Sequence, residues 1–239
     1  MITTLIRAVL YDLDGTLLDT IGDISHAANH VLRLHGMPEY GEVEYRKMVG
    51  WGLSELMSKC IPPAVSQRGE QFREQLVAAC TAEVKAEYAA HPVDLTVPYN
   101  GALEVLRELK GRGYLQAVLS NKADELVQVI VRRMLPADLF SVVQGQTPAV
   151  PTKPDPQAAR SICTTLGLPT QEVLYVGDTA VDVETARNAG MICVGVSWGF
   201  RGPEEVRDAG AQYVIDHPEE LLDLLPRVKE PLQEGRRDG

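Results

Sequence analysis

The chain has 239 residues, of which 45% are hydrophobic and 23% are charged, as expected for a globular protein with a sizeable core. Its 23 Lys and Arg residues are outnumbered by 33 Asp and Glu residues, so the formal net charge is -10. Nucleic acid and anionic membranes attract basic surfaces, so this balance argues against both as main partners. The sequence also lacks a signal-peptide pattern and an apolar run of the ~20 residues that a membrane span needs, and it predicts a cytoplasmic protein.

Four short apolar runs, each ending in Asp, Ser or Gly, predict strands at residues 8–12, 115–120, 173–178 and 193–197. These runs are apolar throughout, which is typical of strands that are buried on both faces of a parallel sheet. The segments between them have helical spacing, as at Leu103, Leu106 and Leu109. The alternation over residues 95–225 predicts an α/β fold with a doubly wound, Rossmann-like parallel sheet.

Residues 19–94 show a different pattern, in which three helical segments (24–34, 43–60 and 72–88) follow one another without a strand between them. We therefore predict a small helical cap domain at residues 19–94, inserted after the first strand. The core domain then comprises residues 1–18 and 95–226. Residues 227–239 are polar with little to bury, which predicts a disordered tail.

The first strand leads directly into two carboxylates, Asp12 and Asp14, followed by Gly15. Side chains at this end of a parallel strand project into the crevice where open α/β sheets bind ligands. An isolated Asp-Gly dipeptide could be only a turn. The full nine-residue pattern to Thr20 is more specific, although Asp19 and Thr20 themselves are predicted to cap the first helix of the insertion.

The pattern DxDGTLxDT at residues 12–20 resembles the first motif of the haloacid dehalogenase-like hydrolase superfamily. Three further motifs follow in the order that this superfamily uses: Ser120-Asn121-Lys122, Lys153-Pro154 and Gly177-Asp178. Each of these alone would be weak, because short loops and helix caps often contain the same residues. Together they extend the resemblance over essentially residues 5–225.

The resemblance implies a Mg²⁺-dependent phosphatase in which Asp12 attacks phosphorus and becomes an aspartyl-phosphate. It implies that Asp14 is a general acid and then a general base, and that Asp12, the Asp14 carbonyl and Asp178 hold Mg²⁺. A cation is needed because a phosphate monoester carries about two negative charges and repels a carboxylate. Asp14 also argues against a dehalogenase, since displacement at carbon needs neither metal nor acid.

The second and third motifs are expected to bind the phosphoryl group. The resemblance implies that Lys153 and Ser120 contact the phosphoryl oxygens, with Ser120 at a helix start, where backbone N–H groups could assist it. Asn121 is predicted to bind phosphate or, with Lys122, to support that loop.

Two further residues are predicted to support the site, each with a structural alternative. Asp182 lies one helical turn after Asp178, so it either supports the metal or stabilises a helix terminus. Thr16 either donates a hydrogen bond within the site or serves only the turn.

Residues 46–53 resemble the Gly-x-Gly cap segment of the phosphoglycolate phosphatase-like branch, in which the cap contacts the substrate. Arg46, Gly50 and Trp51 are therefore candidate substrate contacts; alternatively, Trp51 belongs to the core and the cations are solvated. The predicted partner is a small phosphorylated metabolite, with phosphoglycolate the best candidate, and the enzyme would be a monomer or homodimer. Alternatives are another small sugar or acid phosphate, pyrophosphate, a sugar-phosphate mutase, or a non-catalytic phosphate-binding regulator.

Overall fold

The computed structural model describes residues 5–226, so the predicted disordered tail at 227–239 lies outside the described residues. In chain order the elements are β1 (Ala8–Tyr11), β2 (Leu18–Asp19), α1 (Ile21–Leu34), α2 (Glu42–Met48), α3 (Leu53–Cys60), a 3-10 helix (Pro63–Arg68), α4 (Glu70–Ala90), β3 (Val97–Pro98), α5 (Ala102–Gly111), β4 (Leu115–Ala123), α6 (Asp124–Met134), β5 (Val142–Gln146), α7 (Gln157–Leu166), a second 3-10 helix (Thr170–Glu172), β6 (Val173–Gly177), α8 (Ala180–Ala189), β7 (Ile192–Val196), α9 (Pro203–Asp208), β8 (Tyr213–Ile215) and α10 (Glu220–Leu224).

Six strands form one parallel sheet in the order β5-β4-β1-β6-β7-β8. Strand β1 is central, and its alternate side chains enter two different cores because successive residues of a strand point to opposite faces. Ala8 and Leu10 join a cluster with α7 and α8, whereas Val9 and Tyr11 join a cluster with α5 and α6. Helices thus cover both faces, and the predicted doubly wound α/β fold is confirmed.

Two edge strands of the sheet were not predicted from the sequence. Strand β8 has three residues, of which only Ile215 is fully buried, and β5 contains two glutamines and a glycine. Neither has the continuous apolar run by which the inner strands were recognised. Edge strands bury less surface, so their sequences are less constrained.

The helices α1 to α4 occupy the chain between β2 and β3, and α1 packs against α4. Strands β2 and β3 pair antiparallel where the chain leaves and re-enters the main sheet, with Leu18 opposite Pro98. The helix predicted over 43–60 is divided into α2 and α3, because Gly50 and Gly52 adopt positive φ angles of 111° and 88°. None of the helices within residues 5–226 is long and apolar enough to cross a membrane.

Candidate active site

Two neighbouring strands, β1 and β6, each end in an aspartate. Asp12 follows β1 and Asp178 follows β6, and Asp182 lies in the first turn of α8. Because the carboxyl ends of parallel strands meet at one edge of the sheet, the three side chains converge there. One carboxylate oxygen from each lies within 4.8 Å of the other two, and all three residues are buried.

Lys153 supplies the positive charge in this cluster. It lies in the loop between β5 and α7, and only 3% of its side chain is exposed. Its Nζ is 2.8 Å from Oδ1 of Asp12 and 2.7 Å from Oδ1 of Asp182. The cluster therefore contains three buried carboxylates and a single ammonium group.

Burial has a large effect on the electrostatics of this cluster. It raises the pKa of Asp12 to about 7, with a further contribution from the charge of Asp182, although Lys153 opposes the shift. Burial, followed by the negative charges of Asp182 and Asp12, raises the pKa of Asp178 well above its usual range. The attraction of Asp12 and Asp182 outweighs burial for Lys153 and raises its pKa, so the lysine is charged. Such an excess of buried carboxylate oxygen suits a hard divalent cation.

Asp178 and Asp182 are both held in fixed orientations. The Asp178 carboxylate accepts hydrogen bonds from the Thr16 hydroxyl (3.3 Å) and from the backbone N–H of Phe200 (2.9 Å). Asp182 accepts the Thr179 hydroxyl at 2.8 Å within a capping box at the start of α8. Thr16 thus contacts a predicted metal ligand, and Asp182 both caps a helix and contacts Lys153.

Asp14 has partners that the sequence did not reveal. Its Oδ1 accepts hydrogen bonds from the Lys122 ammonium (2.6 Å) and from the Thr20 hydroxyl (2.7 Å). Thr20 occupies the N-cap position of α1 but makes no side-chain capping bond, so its predicted capping role is wrong. Burial lowers the pKa of Lys122, but Asp14 and the Tyr88 hydroxyl raise it to about 12 overall. The only sequence feature that pointed to Lys122 as a site residue was its position within the second motif.

Ser120 and Asn121 lie beside the carboxylate cluster. Ser120 was predicted to lie at a helix start. That prediction is wrong, because β4 continues to Ala123 before α6 begins. Its hydroxyl accepts a hydrogen bond from the Lys122 N–H. Asn121 accepts the Lys153 N–H at 2.8 Å, and its amide donates to the carbonyls of Lys153 and Gly50. Asn121 thus connects the lysine loop to the helical insertion.

A pocket of about 570 Å³, which includes space open to solvent at its mouth, lies over Asp12 and Asp14. The other polar and charged residues that line it are Ser120, Asn121, Lys122, Lys153 and Thr179. The rest of the lining is apolar or glycine: Ile24, Val49, Gly50, Gly52, Leu53, Leu56 and Phe200.

Of the three candidate substrate contacts in the insertion, only Gly50 lines this pocket. Arg46 instead pairs with Asp19 at 3.2 Å and stacks over the Phe200 ring. Trp51 is 42% exposed between α2 and α3, so it is not a core residue.

The fold thus places aspartates directly after β1 and β6, next to a buried lysine. Residues 9–196 match the family profile of the haloacid dehalogenase-like hydrolases. The chain therefore belongs to this family, and the resemblance predicted from its motifs is confirmed.

Individual relatives support phosphatase chemistry. The chain is 30% identical to the N-acetylmuramic acid 6-phosphate phosphatase of Pseudomonas aeruginosa, over 93% of this chain and 96% of that protein. It is also 30% identical to the phosphoglycolate phosphatase of Pseudomonas putida, over 95% and 82% respectively. The crystal structure of a predicted phosphoglycolate phosphatase from Haemophilus somnus is similar with a TM-score of 0.83 and 25% identity, covering 93% of this chain and 99% of that one. The enzyme class predicted from the sequence, a phosphatase, is confirmed.

Proposed function

We propose that this chain is a Mg²⁺-dependent phosphatase that hydrolyses a small phosphate monoester through an aspartyl-phosphate on Asp12. The observation that carries the proposal is the buried cluster of Asp12, Asp178 and Asp182 around the single ammonium of Lys153. We further propose that residues 19–94 are a cap domain, since Gly50 and other residues of this segment line the pocket. The same pocket argues against a purely structural role for the cluster.

The residues of the site divide the reaction between them. An oxygen of Asp12 forms a bond to phosphorus while the bond from phosphorus to the leaving oxygen breaks, and Asp14 protonates that oxygen. Water then attacks phosphorus, Asp14 takes its proton, and the bond to Asp12 breaks to release phosphate. Lys153 offsets charge on the nucleophile and the phosphoryl oxygens, while the Ser120 hydroxyl contacts the phosphoryl group and Asn121 supports the loop that carries Lys153.

The donor set fits a hard divalent cation. Asp12, Asp178 and the backbone carbonyl of Asp14 would hold Mg²⁺, which supplies charge neutralisation for the phosphoryl group when bound. Asp182 would support the site through Lys153, because its oxygens already accept hydrogen bonds from Lys153, Tyr175 and Thr179.

Phosphoglycolate is the first candidate substrate, supported by the relatives of that name. A phosphorylated sugar acid is the second candidate. The apolar lining residues Val49, Leu53 and Leu56 could contact a larger leaving group, and the relative that acts on N-acetylmuramic acid 6-phosphate matches this chain over nearly its full length.

A panel of phosphate esters tests the activity and ranks these candidates. We expect the purified protein to release phosphate from p-nitrophenyl phosphate with Mg²⁺ and to lose this activity in EDTA. When the esters are ranked by kcat/KM, phosphoglycolate or a phosphorylated sugar acid should rank above nucleotides. A protein that hydrolyses none of the esters in the presence of Mg²⁺ would contradict the proposed activity, whereas a preference for nucleotides would contradict only the substrate class.

The close approach of Gly199 to Asp178 gives a test of the metal site. A Cβ at Gly199 would lie 2.1 Å from the Cβ of Asp178 and 2.5 Å from its Oδ2, so the carboxylate would have to move. We expect Gly199→Ala to weaken Mg²⁺ binding by about 10- to 100-fold, as when other outer contacts of metal ligands are lost. Isothermal titration calorimetry with Mg²⁺ measures the change in Kd.

Gly111→Ala is the matched control, since a Cβ there meets no other atom within 4 Å. It should leave Mg²⁺ affinity unchanged and, at the end of α5, affect stability by no more than about 1 kcal/mol. Equal Mg²⁺ affinities for the native protein and the Gly199→Ala variant would contradict the assignment of Asp178 as a ligand.

A further inference from the structure

Lys122 connects the helical insertion to Asp14, the proposed acid and base. Its ammonium donates to Oδ1 of Asp14 at 2.6 Å and to the hydroxyl of Tyr88 at 2.7 Å. Tyr88 belongs to α4, the last helix of the insertion, whereas Lys122 and Asp14 lie at the ends of core strands. One buried side chain thus bridges the two parts of the chain beside the pocket.

The Lys122 side chain and its partner Tyr88 are both buried. Only 3% of the Lys122 side chain is exposed, and Tyr88 is fully buried. The ammonium also lies 4.6 Å from the centre of the Tyr88 ring, within the range of a cation–π interaction. Charge-assisted hydrogen bonds in a buried site are stronger than in water, so the ammonium is held at a fixed position.

The two oxygens of Asp14 are in different situations. Both Lys122 and the Thr20 hydroxyl bind Oδ1, whereas Oδ2 accepts no hydrogen bond from any residue in the described range 5–226. Asp14 is a pocket-lining residue and is 17% exposed at its side chain. Oδ2 is therefore the oxygen available to exchange a proton with a leaving group or with water.

We propose that Lys122 is a positioning residue that, held by Tyr88 from the helical insertion, fixes Oδ1 of Asp14 so that Oδ2 serves the proton transfer. This inference rests on the proposed function and deepens it. Proton transfer needs the donor within hydrogen-bond reach of the leaving oxygen, so a small displacement of Asp14 has a large effect. The insertion then contacts the proposed acid in two ways: through Tyr88 and Lys122, and directly through the Thr20 hydroxyl.

Tyr88→Phe is the decisive variant, because it removes this hydroxyl and retains the ring over Lys122. Alkyl phosphates have strongly basic leaving oxygens that require protonation, whereas p-nitrophenolate leaves with little help. We expect kcat/KM for phosphoglycolate to fall by about 10-fold or more, since misplacements of ~1 Å can cost ~10²-fold. The value for p-nitrophenyl phosphate should change less than about 2-fold. The comparison uses kcat/KM because it reports steps up to phosphoryl transfer.

Tyr45→Phe is the matched control. Tyr45 is also a fully buried tyrosine of the insertion, but its hydroxyl bonds to Asn29 and does not touch Lys122 or Asp14. This variant should retain the native ratio of the two kcat/KM values. Lys122→Gln is a second test, and it should show the same selective loss on phosphoglycolate, at least as large as that of Tyr88→Phe.

The outcomes separate this inference from the function on which it rests. An equal loss on both esters in Tyr88→Phe and Lys122→Gln indicates a merely structural role and overturns the inference while the phosphatase stands. Native kcat/KM values for both esters in both variants overturn it equally. A native protein that hydrolyses neither ester overturns the proposed function and this inference together.

Discussion

Asp12→Asn is expected to reduce phosphate release by about 10⁴-fold or more, because removal of a catalytic nucleophile leaves only binding and electrostatic contributions. An asparagine amide has nearly the same shape as the carboxylate but cannot form the acyl phosphate. The variant also lacks the charge that pairs with Lys153 Nζ at 2.8 Å. Initial rates on p-nitrophenyl phosphate with saturating Mg²⁺ measure the loss.

Asp138→Asn makes the same chemical change at an exposed position and is the control. Asp138 pairs with Lys110 and does not line the pocket, and 74% of its side chain is exposed. Its activity should equal that of the native protein. If Asp12→Asn retained more than about a tenth of native activity, the nucleophile assignment would be lost.

Lys153→Met is expected to impair both stability and activity. The variant leaves Asp12 and Asp182 as buried carboxylates without their ammonium partner. Breaking a buried ion pair in this way costs about 3–5 kcal/mol of unfolding free energy, and loss of a charge-stabilising donor costs ~10²–10³ in rate. Urea unfolding in EDTA measures the first effect without contributions from bound metal, and steady-state rates with Mg²⁺ measure the second.

Two further variants distinguish the electrostatic cause from loss of packing. Lys110→Met removes an exposed lysine that pairs with Asp138, and it should cost less than about 1 kcal/mol. The double variant Lys153→Met with Asp182→Asn removes one stranded carboxylate, so it should recover part of the unfolding free energy but none of the activity. A double variant no more stable than Lys153→Met would contradict the electrostatic account.

The inner part of the fold was predictable because burial constrains its sequence strongly. Strands β1, β4, β6 and β7 contain apolar runs that are buried on both faces. The motif residues Asp12 and Asp178 directly follow β1 and β6, and Ser120 follows the apolar run within β4. The sheet topology then brings these ends to one edge. The edge strands β5 and β8 escaped prediction, since strands with one neighbour need less apolar sequence.

The contacts of Asp14 could not be predicted, because they depend on residues distant in the chain. Lys122 is 108 positions from Asp14 and 34 from Tyr88, and no local pattern reports such pairs. Thr20 has the residue type and position of a helix cap, but its hydroxyl finds a carboxylate instead. The candidate substrate contacts were equally hard to predict. Arg46 pairs with Asp19, which lies 27 positions away in the chain.

Chemical trapping of the phosphoenzyme tests the central claim most directly. Native protein mixed with substrate and Mg²⁺ would be quenched in acid during turnover, and its peptides analysed by mass spectrometry with and without hydroxylamine, which cleaves acyl phosphates but not serine phosphates. The account predicts a hydroxylamine-sensitive phosphoryl group on the peptide that contains Asp12. A hydroxylamine-resistant group on Ser120, which also lines the pocket, would contradict it.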